Sequence, residues 1–166
     1  RERRRRNSYV FVQIMVPSRT DVAAYADLKD DVDRMVGDIN GRFGITGRVP
    51  IHYLFRNLQR DDLLAHYRAA EVALVTPLRD GMNLVAHEYA ASQVDGRGTL
   101  VLSELAGACE YFSNASLTVN PYDISAIADA LTRAVRSPET ERRQRMALLR
   151  DEVKLLDVHS WANSCV

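Results

Sequence analysis

Five short apolar runs rich in β-branched residues recur along the chain, separated by stretches in which apolar positions lie three or four residues apart. The runs predict buried strands at residues 9–16, 51–55, 72–76, 99–102 and 116–119. The spacing between them predicts a long helix from Val22 to Ile39, helices after the second, third and fifth strands, and a short helix before the fifth. Apolar positions from Met146 to Trp161 predict a last surface helix, with Pro138 as a break before it.

Strands that alternate with helices predict an α/β fold, a Rossmann-like and mostly parallel sheet with right-handed crossovers and helices on both faces. A length of 166 residues, 46% of them hydrophobic, suits one globular unit, so we expect residues 1–166 to form a single domain. Sheets of this class bind ligands at the carboxyl ends of their strands, and a site is expected there.

Charge and composition narrow the classes of function. The 22 Lys and Arg residues balance the 22 Asp and Glu residues, so no overall field steers the chain toward nucleic acid or an anionic membrane. No apolar run approaches the roughly 18 residues that a membrane-spanning helix needs. Cys109 and Cys165 are too far apart in sequence to indicate a disulfide scaffold. We therefore expect a cytoplasmic protein without a nucleic-acid or membrane partner.

Residues 76–89 form the segment richest in candidate chemistry, because a buried strand runs through a turn directly into an apolar-faced helix. Gly81 in this turn removes a side chain where a ligand can approach the backbone. The start of a helix leaves amides free at the positive end of its dipole, and phosphate is the natural guest for them. The amides expected to be free are those of Asn83, Leu84 and Val85.

Two carboxylates flank this turn. Glu88 lies on the same helical face as Leu84, one turn further on, where its oxygens can accept hydrogen bonds from a vicinal diol such as that of ribose. Asp80, just before the helix, can bind sugar hydroxyls in the same way. From spacing alone an equally good alternative makes Asp80 a helix cap and Glu88 a solvated charge.

The residue pattern T-P-L-R-D-G-M-N-L-V-A-x-E-Y of residues 76–89 resembles the donor-binding signature of the trehalose-6-phosphate synthase family, retaining glycosyltransferases of the GT-B fold. Residues 17–22 resemble that family's P-S-R-x-D-V segment, and residues 39–44 resemble its I-N-G-x-(F/Y)-G turn. The resemblance continues through residues 100–108 and 119–123, so it covers nearly the whole chain. It implies that this chain is the C-terminal half of a GT-B fold.

The resemblance implies an activity. Such an enzyme transfers glucose from UDP-, GDP- or ADP-glucose to glucose 6-phosphate, and forms α,α-trehalose 6-phosphate with retention. It implies neither a covalent nucleophile nor a cofactor. No two of the four His residues have the spacing of a metal pair, so no metal is expected either.

The resemblance also implies roles for individual residues. Asp80, the one candidate catalytic residue, would bind hydroxyls of the donor glucose, and Glu88 would bind the donor ribose. Leu58 would contact the base through its main chain, and Arg19 would bind the acceptor's 6-phosphate, for which its planar guanidinium is suited. The residues whose backbone would hold the glucose and the diphosphate are Gly81, Met82, Asn83, Leu84 and Val85.

The sequence departs from the family at two points. His87 stands where relatives have Lys, and we interpret it as a surface residue of open role. The R-x-D-x-x-K-G segment that would hold the donor diphosphate, and the N-terminal domain with most of the acceptor pocket, do not occur in this chain. We therefore expect part of a longer two-domain enzyme, possible as a homo-oligomer, and an isolated chain that is inactive. The alternatives are a catalytically silent nucleotide-sugar-binding or regulatory module, and a pseudo-glycosyltransferase with a different acceptor.

Overall fold

The structure is a computed structural model that describes residues 9–17 and 23–155. The five strands are β1 (Phe11–Met15), β2 (Ile51–Phe55), β3 (Val72–Val75), β4 (Thr99–Ser103) and β5 (Leu117–Val119). The helices are α1 (Ala23–Phe43), α2 (Arg60–Ala69), α3 (Leu84–Ser92), α4 (Cys109–Phe112), α5 (Ile124–Arg136) and α6 (Glu139–Leu155). All five predicted strands are therefore present, each within a few residues of its predicted position.

The last helix differs most from its prediction. It begins at Glu139, directly after Pro138, instead of at the first apolar position further along the chain. In its charged first turns Arg143 and Arg145 each bind the glutamate four residues before them, Glu139 and Glu141, at 2.8 and 3.0 Å, and pairs at this spacing support a helix. Trp161, which the prediction included, lies outside the described residues.

The chain divides into two compact units, Arg1–Gln59 and Arg60–Val166, and each is described by itself. In the first unit β1 and β2 pair in parallel, from Phe11 opposite Ile51 to Met15 opposite Phe55. The side chain of Asn40, in α1, bonds both the amide and the carbonyl of Ile51, at 3.0 and 2.9 Å, and so ties the helix to the start of β2. That residues 1–166 form one domain stays a prediction.

In the second unit the strands pair in parallel in the order β3-β4-β5. The central strand β4 is buried along its whole length, and its side chains alternate between two cores. Leu100 and Leu102 pack in a cluster with residues of α3, α4 and α6, whereas Val101 packs in a second cluster with Ala134 of α5. Helices thus cover both faces of this sheet, as the sequence predicts.

No helix within the described ranges is both long enough and apolar enough to cross a membrane.

Candidate functional site

The turn between β3 and α3 is ordered by a carboxylate. One oxygen of Asp80, Oδ1, accepts the backbone amides of Met82 and Asn83, both at 3.1 Å, and Oδ2 accepts the Asn83 side-chain amide at 2.9 Å. These bonds, led by that of the Met82 amide, hold the pKa of Asp80 below its ordinary value against the opposing effect of partial burial. Asp80 is therefore an ionised, fixed acceptor at the carboxyl end of β3. The prediction that the Asn83 amide is free is wrong, because Asp80 binds it.

Asn83 begins the helix from a left-handed conformation. Its φ of 70° is the one positive value among the non-glycine residues that the structure describes. Asparagine tolerates this conformation better than most residues, and its Oδ1 accepts the Ala86 amide at 3.0 Å as an N-cap. The cap of α3 is thus Asn83, and Asp80 holds the cap in place.

A second segment, residues 105–108 after β4, supports the turn from behind. The Gly107 amide donates to the Asp80 carbonyl at 2.9 Å, and the Ala108 amide donates to the Met82 carbonyl at 2.8 Å. A Cβ atom at position 107 would lie 2.1 Å from the carbonyl oxygen of Gly81, so only glycine fits there. In the sequence these residues stand out only as part of the family resemblance. The one local feature that could have indicated this contact is a run of small residues after a buried strand.

His87 joins α3 to α4. Its Nδ1 lies 3.1 Å from the Asn83 carbonyl oxygen, and its ring packs on that of Phe112 with centroids 4.7 Å apart. Phe112 is fully buried and His87 is half-buried, so the predicted surface position of His87 is wrong. The error arose because helical spacing alone does not show that α4 packs against this face.

We call residues 80–85 the corner. In the corner, several backbone carbonyl oxygens are bound within the protein, whereas some backbone amides are free within the described chain. Three of its carbonyl oxygens are bound to residues behind it or within α3, namely those of Asp80, Met82 and Asn83. Within the described parts of the chain, the amides of Leu84 and Val85 have no acceptor, as the sequence predicts for a helix start. A Cβ at Gly81 would meet nothing within 4 Å, so this side of the corner is open. The open side therefore presents amides and the positive end of the helix dipole, which suit an anion.

Glu88 lies one turn into α3 and is exposed. The hydroxyl of Tyr67, in α2, donates to its Oε2 at 3.2 Å. Burial, reinforced by the charge of Glu88 and this hydrogen bond, raises the pKa of Tyr67 from 10.0 to about 12. The sequence predicts the helix that contains Tyr67 but indicates no role for this residue. The contact of its hydroxyl with Glu88 is visible only in the fold, which places α2 beside α3.

The predicted site residues fall in both units of the chain. Asp80, the corner and Glu88 all lie in the second unit, whereas Leu58 is a half-buried residue of the loop before α2, in the first unit. Arg19 lies outside the described residues. Across residues 9–17 and 23–155, no group of three or more His, Cys, Asp or Glu side chains is placed to hold a metal ion.

Comparison with known proteins gives the corner a context. The family model for Glycosyltransferase family 20 matches residues 1–166, the whole chain. This chain belongs to glycosyltransferase family 20. The predicted resemblance to trehalose-6-phosphate synthases is therefore confirmed.

Individual relatives of this family 20 chain agree. A trehalose-6-phosphate synthase of Mycobacterium leprae is 47% identical over 162 residues, which are 98% of this chain and 32% of that protein. A UDP-forming α,α-trehalose-phosphate synthase from Burkholderia xenovorans, in complex with glucose 6-phosphate, is 40% identical with a TM-score of 0.93, over 98% of this chain and 36% of that one. A trehalose-6-phosphate structure from Escherichia coli, bound with UDP-2-fluoro glucose, is 41% identical with a TM-score of 0.90, over 94% and 35%.

The family 20 chain thus spans about a third of the length of the relatives that it matches. Over that third it shares their fold, and the predicted α/β class with parallel strands of a GT-B protein is confirmed.

Proposed function

We propose that this chain supplies the donor-binding part of an enzyme that transfers glucose from a nucleoside-diphosphate glucose to glucose 6-phosphate, forming α,α-trehalose 6-phosphate with retention. The observation that carries the proposal is the corner, where the free amides of Leu84 and Val85 lie beside the fixed carboxylate of Asp80. Membership of family 20 and the activity named for its relatives support it.

The corner suits the two polar parts of such a donor. The Leu84 and Val85 amides would bind the diphosphate, and the open side at Gly81 would let it approach the backbone. A carboxylate offers roughly four acceptor positions, and protein donors fill three of those on Asp80, so about one is left for a hydroxyl of the donor glucose. Asp80 would orient the sugar in this way without forming a bond to it.

The proposed transfer needs orientation and charge stabilisation from the protein. The acceptor's O1 would attack the anomeric carbon on the face from which the diphosphate leaves, and a leaving phosphate oxygen would take the acceptor's proton. Negative charge then grows on the diphosphate. Amides that already point outward stabilise this charge without rearranging, which makes preorganised donors effective.

The remaining parts of the proposal concern the donor nucleotide, two further binding residues and the location of the protein in the cell. UDP-glucose is the first donor to test, because a relative is named as UDP-forming, with GDP- and ADP-glucose as comparisons. We assign the base contact to Leu58 and the acceptor phosphate to Arg19, and we place the protein in the cytoplasm. The longer protein would supply the other domain.

Replacing Glu88 tests the donor site directly. Glu88→Ala removes the acceptor of two ribose hydrogen bonds, so UDP should bind about 5- to 150-fold more weakly by isothermal calorimetry. Glu152→Ala, which removes a carboxylate from a different helix, serves as the matched control and should bind UDP like the unchanged chain. Equal UDP affinity of the Glu88 variant and the unchanged chain would contradict the ribose assignment.

A further inference from the structure

The side chain that should recognise the ribose is exposed, and an exposed glutamate has several rotamers. Such a side chain loses conformational entropy each time it binds. Glu88 differs from a free surface glutamate because one of its oxygens, Oε2, already accepts a hydrogen bond from the Tyr67 hydroxyl at 3.2 Å. The other oxygen and the remaining lone pair of Oε2 stay available to a ligand.

Tyr67 is itself firmly held. Its backbone carbonyl accepts the side-chain amide of Gln93 at 2.5 Å, and the same amide donates to the Ala70 carbonyl at 3.1 Å. Gln93 is 4% exposed and directly follows α3, so it fastens the end of α2 to the helix that carries Glu88. The Tyr89 hydroxyl adds a third bond between these helices, to the Ala70 carbonyl at 3.1 Å.

The ring of Tyr67 also packs against the buried core that contains Tyr89 and Ala90. Packing of the ring and the bound backbone carbonyl hold the Tyr67 hydroxyl oxygen beside Glu88. A phenol is protonated at neutral pH even at its ordinary pKa, and burial raises the pKa of Tyr67 further, to about 12, so its hydroxyl is a donor to the Glu88 carboxylate.

We propose that Tyr67 is a positioning residue for nucleotide recognition, which fixes the Glu88 carboxylate in the orientation that accepts the 2′- and 3′-hydroxyls of the donor ribose. The inference rests on the proposed function, because it takes from it that Glu88 binds the ribose. It adds a residue that touches no ligand and acts through Glu88. Discrimination between ribose and 2′-deoxyribose should depend on both residues together.

The test compares UDP with 2′-deoxy-UDP in calorimetric titrations of the 166-residue chain. We expect Tyr67→Phe to bind UDP about 2- to 10-fold more weakly and 2′-deoxy-UDP with a smaller loss, since the lost hydrogen bond orients an acceptor of both ribose hydroxyls. Glu88→Gln should lose the preference for UDP, and adding Tyr67→Phe to it should cause no further loss. Tyr111→Phe, an exposed tyrosine of α4, is the control and should leave both affinities unchanged.

The outcomes separate this inference from the proposed function. If Glu88→Gln loses the preference and Tyr67→Phe retains full UDP affinity, the positioning role is wrong and the ribose assignment stands. Equal losses for both nucleotides in Tyr67→Phe would mean a merely structural role and would also overturn it. If Glu88→Gln keeps the preference for UDP, or if the unchanged chain binds no UDP at millimolar concentration, the proposed donor site itself is wrong.

Discussion

Gly81 in the corner and Gly107 behind it differ in the space around them. At position 107 the protein itself excludes any side chain, because an added Cβ would lie 2.1 Å from the Gly81 carbonyl oxygen. At Gly81 nothing in the described chain lies within 4 Å of an added Cβ, and the residue does not have a positive φ. Nothing in the described chain therefore requires glycine at position 81, and under the proposed function its small size lets the donor approach the backbone.

Alanine at each position should separate these two effects. Gly107→Ala places a methyl group against backbone that no side-chain rotation can move, so we expect a loss of about 1–3 kcal/mol in the free energy of unfolding. Gly81→Ala should change that free energy by less than about 1 kcal/mol and yet weaken UDP binding. Urea unfolding followed by circular dichroism and UDP calorimetry measure the two quantities. A destabilised Gly81→Ala protein, or one that binds UDP normally, would contradict the expectation.

The phenol of Tyr67 should leave a signature at alkaline pH. Because the folded state raises its pKa from 10.0 to about 12, the unfolded state loses the proton first. The stabilisation linked to the protonated phenol is complete below pH 10 and is lost as the pH rises toward 12. We therefore expect the free energy of unfolding of Tyr67→Phe to fall less steeply over this range than that of the unchanged chain. Parallel curves in urea titrations at several pH values would show that the phenol is not linked to folding.

At the scale of elements, helix α3 depends on the residue that starts it. Asn83 accepts the Ala86 amide, donates to Asp80 and occupies a left-handed conformation that costs most residues free energy. No other residue type supplies all three properties. Glycine tolerates the conformation without the cap, alanine supplies neither, and aspartate keeps the acceptor but places a second negative charge beside Asp80.

Substitutions of Asn83 should therefore follow a fixed order of stability. We expect Asn83→Gly to lose a few tenths to about 1 kcal/mol in the free energy of unfolding, and Asn83→Ala to lose about 1–3 kcal/mol. Asn83→Asp should be least harmful near pH 3, where protonation of either carboxyl relieves the repulsion. Urea unfolding of the three variants at pH 7 and pH 3 checks the order. Equal stability of the Gly and Ala variants would rule out the strain argument.

The strands were predictable because each is a compact apolar run, and β4, buried on both faces, shows no polar alternation at all. The corner was predictable in outline, since Gly81 and a helix start lie next to each other in sequence. What sequence reasoning missed depends on contacts between distant segments. The bond from Gly107 to Asp80, the ring of His87 on Phe112 and the hydroxyl of Tyr67 on Glu88 all require knowledge of which elements are neighbours.

At the scale of the molecule, the chain spans about a third of the relatives that it matches. The proposed transfer requires donor and acceptor to be held together in one closed cleft, and such orientation can lower a barrier by roughly 7–11 kcal/mol. The second unit contains groups that suit the donor. The described residues of this unit include none that we assign to glucose 6-phosphate, and Arg19, the residue proposed to bind its phosphate, lies outside the described residues.

We therefore expect the purified 166-residue chain to bind UDP without catalysing transfer. Incubation with glucose 6-phosphate and UDP-, GDP- or ADP-glucose, followed by mass spectrometry, should detect no trehalose 6-phosphate above background. A relative of full length, assayed in parallel, controls for the substrates and conditions. Turnover by the chain alone would show that one third of the relatives' length is sufficient, and the two-domain proposal would then be wrong.

The support that residues 105–108 give to the corner has a consequence for protein engineering. Residues 76–89 form one continuous segment that could be grafted into another protein as a cassette. The carbonyls of Asp80 and Met82, however, are bound by the amides of Gly107 and Ala108, which follow the next strand. A grafted cassette would leave those carbonyls free to turn outward, toward the side where the amides should meet an anion. Transplanting this nucleotide site into another scaffold therefore means moving two loops together, with the central strand that holds them in register.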